Sequence, residues 1–95
     1  MIIRVTTGTF DPSREPELQR WGEEQFLPAL RQLPGFLGYR GGVNRETKRL
    51  VAISLWETRQ QADELRELLG PVLAQLASIG VELDSAQRFE EILHS

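Results

Sequence analysis

The segment Leu50–Trp56 is apolar or small on both of its alternating sets of positions. One set is Val51, Ile53 and Leu55; the other is Leu50, Ala52, Ser54 and Trp56. A strand with one wet face alternates apolar with polar residues, so this strand is expected to be covered on both sides. Two helical patterns flank it. From about Ser13 to Leu33, apolar residues recur at three- and four-residue steps: Leu18, Trp21, Phe26 or Leu27, Leu30 and Leu33. Ser13 is the expected N-cap and Pro16 falls in the first turn. Pro28 lies inside the pattern, where it should free the carbonyl of Glu24 and kink the helix. The second stripe is cleaner: Ala62, Leu65, Leu69, Val72, Leu76 and Ile79. Thr58 with Gln61 forms a capping-box signature at its start, Gly70-Pro71 should break it in two, and Gly80 should end it.

The remaining strands are read from β-branched content and turn signals. Ile2 to Phe10 is one. Phe36 to Asn44, weakened by Gly38, Gly41 and Gly42, is a second, and forms a hairpin with Leu50–Glu57 through the polar turn Arg45–Lys48. Leu83 to Leu93 is a last, more polar strand. The order β-α-β-β-α-β predicts one ferredoxin-like α+β domain over residues 1–95, a four-stranded antiparallel sheet with two helices on one face.

Two helices cover one face of such a sheet and leave the other bare. If Leu50, Ala52, Ser54 and Trp56 meet the helices, then Val51, Ile53 and Leu55 face outward, with Phe36 beside them. Burying one such side chain is worth about 1.5–3 kcal/mol. A homodimer that stacks its sheet faces across a two-fold axis is therefore expected. Arg4 and Arg40 are placed on that side as well, to pair with Glu90 or Glu91 across the dimer or to hold an anion.

Composition narrows the chemistry. There is no cysteine, which excludes disulfides and thiolate chemistry, and the one histidine is His94, next to last. No metal site and no cofactor are expected. The net charge is −3 and no basic run is present, so nucleic acid is not an expected partner. No apolar run approaches the ~20 residues that span a bilayer. The start of the chain lacks the pattern of a signal peptide, so a cytoplasmic location is expected. Glu23, Glu24, Asp63, Glu64 and Glu67 oppose the apolar stripes and read as solvated surface. The glycines of "GYRGG" lack the Lys-Ser or Lys-Thr and the helix start of a phosphate loop.

The segments "LPGFLGYR" and "RLVAISLWETRQQADEL" resemble the antibiotic biosynthesis monooxygenase-like group of the dimeric α/β-barrel superfamily. The resemblance spans nearly the whole chain, and the Pro34-Gly35-Phe36 and Leu55-Trp56-Glu57 elements carry most of it. It implies a paired-sheet dimer with a pocket between sheet and helices. It also implies two activities: cofactor-free oxidation of polycyclic phenols by O₂, and haem degradation by an Asn, a Trp and a His. Only the Trp carries over, as Trp56; Thr7 stands at the first-strand position and Arg66 near the helical one, so haem degradation is not expected.

The candidate pocket residues are Trp56, Tyr39, Thr7, Ser54 and Arg66. Trp56 with small Ser54 and Ala52 leaves room for a ligand, or else is core, which is the commoner fate of a strand Trp. Tyr39 shares that face if the hairpin turns at Glu46-Thr47, and its phenol could serve as a donor or acid. Two functional readings follow. One is a cofactor-independent monooxygenase acting on an aromatic or polyketide-like compound; the other is a non-catalytic ligand-binding or structural homodimer. A cavity of roughly 300 Å³ or more near Trp56 is the feature that keeps a small aromatic ligand in play.

Overall fold

The computed structural model describes residues 1–95. Strand β1 (Ile2–Thr9) lies at the centre of an antiparallel sheet with the order β2-β3-β1-β4. β2 is Phe36–Asn44, β3 is Arg49–Trp56 and β4 is Glu82–Leu83. A further short strand, β5 (Gln87–Glu90), also pairs with β1. The βαββαβ order is the ferredoxin-like one, with its last strand in two pieces.

That split corrects the expected continuous strand from Leu83 to Leu93. Leu83 pairs with Gly8 and Gln87 pairs with Val5, so Asp84–Ala86 opposes only Thr6 and Thr7. One residue too many bulges out of the ladder. Asp84 holds the bulge: its N–H donates to the Thr7 carbonyl (2.8 Å). Its carboxylate accepts from the Thr7 hydroxyl (2.9 Å) and from Arg49 (2.9 Å). These bonds, Arg49 first, hold the carboxyl below its ordinary range. Beyond β5, Ile92 and Leu93 are exposed and unpaired with the sheet.

Asp11, not Ser13, caps the first helix. Its carboxylate accepts from the Ser13 N–H (2.9 Å) and hydroxyl (2.7 Å). A 3₁₀ turn (Pro12–Arg14) leads into α1 (Glu15–Trp21), a π-turn (Gly22–Phe26) and α2 (Leu27–Arg31). The π-turn precedes Pro28, which has no N–H to give the Glu24 carbonyl. The chain widens there, and Leu27 N–H bonds the Gly22 carbonyl five residues back. Gly35 closes the segment at φ +79°, with its carbonyl accepting from Glu57 N–H (3.0 Å). A Cβ at Gly35 would run into the Gln61 side chain.

Gln61 belongs to the second helix, where the capping box forms as its sequence predicts. Thr58 Oγ1 accepts from Gln61 N–H and Gln61 Oε1 accepts from Thr58 N–H, each at 3.2 Å. The helix runs as α3 (Arg59–Leu69), a 3₁₀ turn at Gly70–Val72 and α4 (Leu73–Ser78), ending before Gly80 at φ +83°.

Two buried clusters lie between sheet and helices. Phe26, Leu30, Trp56, Ala62 and Leu65 form one; Phe10, Leu76 and Val81 form the other. Register fixes the outer face. Leu55, Ile53 and Val51 pair with Ile3, Val5 and Thr7, and Phe89, about half-exposed, pairs with Ile3. Phe36 is not on that face. It pairs with Trp56, meets its ring edge-on at 5.6 Å between centroids, and packs on the core. The bulge at Leu37 then shifts phase, so that Gly38 opposes Leu55.

Candidate functional site

The alternation of β1 decides what faces the helices. Ile2 packs on the core, and Arg4 and Thr6 follow it on the inward side, while Ile3 and Val5 point away. The strand therefore turns its more polar set inward. Ser54 pairs with Arg4 and with Tyr39, which brings all three to one place beneath the helices.

Two spaces share a wall there. An inner cavity of ≈ 70 Å³ is lined by Arg4, Thr6, Ser54, Leu65 and Leu69, among others. A groove of ≈ 470 Å³ opens beside it, between the π-turn segment and the β2 edge, with Gly22, Gly41 and Val43 along its length. Leu18, Trp21, Phe26, Tyr39 and Leu50 border both. Trp21 stacks on Phe26 (5.0 Å, 14°), and Phe26 meets Tyr39 edge-on (5.4 Å, 79°). Residues five apart diverge by about 140° around an α-helix. The π-turn winds less per residue, which lets Trp21 and Phe26 share one side.

The polar groups of the inner cavity are mostly donors. Arg4 is half-buried and its Nη1 donates to Thr6 Oγ1 (3.2 Å). Burial first, and then the Arg88 charge, lower its pKa; Arg66 acts in the same sense and Asp63 opposes them. Arg88 stands directly opposite Arg4 across β1 and β5 and takes Asp63 for itself (2.9 Å). Ser54 Oγ accepts from Trp56 Nε1 (2.8 Å). The Trp21 indole N–H is buried without a partner. Burial raises the pKa of Tyr39, which keeps its phenol protonated. At the groove, Glu15 is held by Arg45 through two 2.8 Å bonds, and Glu23 accepts from Gln19 (3.1 Å). No three His, Asp or Glu side chains gather as a metal site.

The expected pocket residues fare differently. Tyr39 and Ser54 line the inner cavity together. Trp56 does not: it is 0% exposed and part of the core. Thr7 is on the opposite face, where it binds Asp84. Arg66 is exposed on α3 and borders neither space, although its charge reaches Arg4. Arg4 faces the helices, contrary to expectation, and Arg40, opposite Ile53 on the outer side of β2, also borders the groove. The large space lies beside Trp21, not Trp56; the cavity next to Ser54 is far below ~300 Å³. Trp21 was legible only as a member of a helical stripe. The inward Arg4 and Thr6 have a visible signal, since Ile3 and Val5 form the more apolar set of β1.

No family model matches the sequence, and no curated protein does. Solved structures do match in fold. A putative antibiotic biosynthesis monooxygenase from Deinococcus radiodurans superposes with a TM-score of 0.78 at 17% identity, over 100% of this chain and 96% of that one. SnoaB, a cofactor-independent oxygenase from Streptomyces nogalater, solved as a mutant, gives 0.74 at 14% identity over 98% and 94%. The haem degrader MhuD from Mycobacterium tuberculosis gives 0.72 at 22% identity over 100% and 99%. The chain thus has the ferredoxin-like fold of antibiotic biosynthesis monooxygenase proteins. Neighbours with such different activities do not select one.

Proposed function

We propose that this protein binds a planar aromatic compound in the groove between the π-turn segment and β2, and oxidises it with O₂ without a cofactor. The groove beside Trp21 and Tyr39 carries the reading. Its ≈ 470 Å³ falls within the range of ligand pockets, and its apolar walls suit a ring system. In the reaction, an activated CH₂ flanked by aromatic rings loses a proton and passes electrons to O₂. A C–O bond forms, one oxygen leaves as water, and the carbon becomes a quinone carbonyl. The substrate supplies the electrons. The protein's part is orientation by the aromatic wall and donation from the Tyr39 phenol to the developing oxyanion.

A homodimer through the outer sheet face belongs to the same proposal. Ile3, Val5, Val51, Ile53, Leu55 and the half-exposed Phe89 would form its apolar centre. A cytoplasmic setting is proposed with it; no helix is long and apolar enough to cross a membrane. One observation favours the non-catalytic alternative. The groove has no histidine, and its two carboxylates are engaged, Glu15 by the Arg45 guanidinium and Glu23 at one oxygen by Gln19.

The test is aerobic incubation with anthrone, following quinone absorbance alongside calorimetric binding. Turnover that falls at least about tenfold in Tyr39→Phe supports the oxygenase. Binding without quinone leaves the ligand-binding reading, and neither leaves a structural dimer.

A further inference from the structure

The inner cavity presents a set of hydrogen-bond donors that nothing in the protein satisfies. Thr6 and Ser54 are 4% and 3% exposed. Each hydroxyl already accepts one bond, from Arg4 and from Trp56 respectively, donors that can only give. Neither hydroxyl hydrogen has an acceptor among the protein's hydrogen bonds, and the Trp21 N–H also lacks one. Arg4 makes one bond, to a neutral oxygen, and no ion pair. Its cross-strand neighbour is another cation, an arrangement that costs stability, and the nearby Asp63 is bound to that neighbour. Asp63, the carboxylate whose charge reaches Arg4, makes its ion pair with Arg88, and its Oδ1 is buried without a hydrogen bond. A half-buried guanidinium and two buried hydroxyls in an apolar chamber are donors that an anionic acceptor would satisfy.

Resting on the groove as the ligand site, we propose that the inner cavity binds the carboxylate of an aromatic acid, with Arg4, Thr6 and Ser54 as its donors. The two spaces fit the two halves of such a molecule. About 70 Å³ suits a carboxylate and excludes a ring system, while the groove takes the ring system. The guanidinium fork matches a carboxylate better than a single phenolate oxygen, and the hydroxyls reach its remaining lone pairs. Trp21, Phe26 and Tyr39 stand between the two halves and would shift to admit the link. Arg4 is on this account a specificity-determining residue.

The experiment compares 2-naphthoate with its neutral isostere 2-naphthamide by calorimetry at neutral pH. The wild-type protein should bind naphthoate at least about tenfold more tightly, the scale of one charge-assisted hydrogen bond. Arg4→Gln, checked for folding by its thermal melt, should erase the preference and leave naphthamide affinity unchanged. Arg88→Gln lies outside the cavity and frees Asp63 to neutralise Arg4, so it should weaken naphthoate several-fold with naphthamide again unaffected. This second variant decides the matter if Arg4→Gln does not fold. Equal affinity of the wild type for both compounds, or a preference that survives both substitutions, overturns the anion pocket while the groove reading stands. Binding of neither compound removes the groove reading and the pocket with it.

Discussion

Ser54 links the core to the site at the scale of one side chain. It accepts from the indole of Trp56, which has no exposure to water, and it lines the inner cavity. Ser54→Ala would strand the Trp56 N–H in a dry place. A loss of about 1–3 kcal/mol in urea unfolding is expected, since a buried donor without a partner carries its full desolvation penalty. A change within a few tenths of a kcal/mol would show that the bond contributes little. The core role of Trp56 was open to inference, because a strand Trp is commonly buried. The bond to Ser54 was not, because residues two apart on one strand meet only in particular rotamers.

At the scale of elements, local chemistry was read best where it is self-contained. Thr58 and Gln61 satisfy each other across one turn, and their spacing alone announces the helix start. Thr58→Ala should cost about 1 kcal/mol and lower the urea midpoint without changing the slope. An unchanged midpoint would mean that the first turn is held by packing alone. The first helix was less legible. Pro28 signalled a disturbance, but a kink and a π-turn remove the same hydrogen bond. The outcome decides whether Trp21 and Phe26 share a side, and with it whether the groove has its aromatic wall. The last strand was misread for a related reason. Its bulge depends on Asp84 reaching Thr7 and Arg49, contacts 77 and 35 residues away in sequence.

For the whole molecule the open question is the outer sheet face. If two copies cover it for each other, the protein should scatter light as twice 10.8 kDa at micromolar concentration. Ile53→Arg, which points a charge into the centre of that face, should yield the monomer. The groove reaches Val51 at its rim but does not include Ile53, so the monomer should still bind naphthoate or naphthamide as the wild type does. A wild-type protein that scatters as 10.8 kDa would refute the dimer.

The sequence by itself determined the order of elements, the antiparallel hairpin, the capped second helix and an apolar outer strand set. These follow from periodicity, capping and turn chemistry, which act over a few residues. Only the tertiary structure decided that Phe36 turns to the core and that the last strand splits around Asp84. Each depends on strand phase across a bulge or on pairing between distant segments, and one residue of register moves a side chain to the other face.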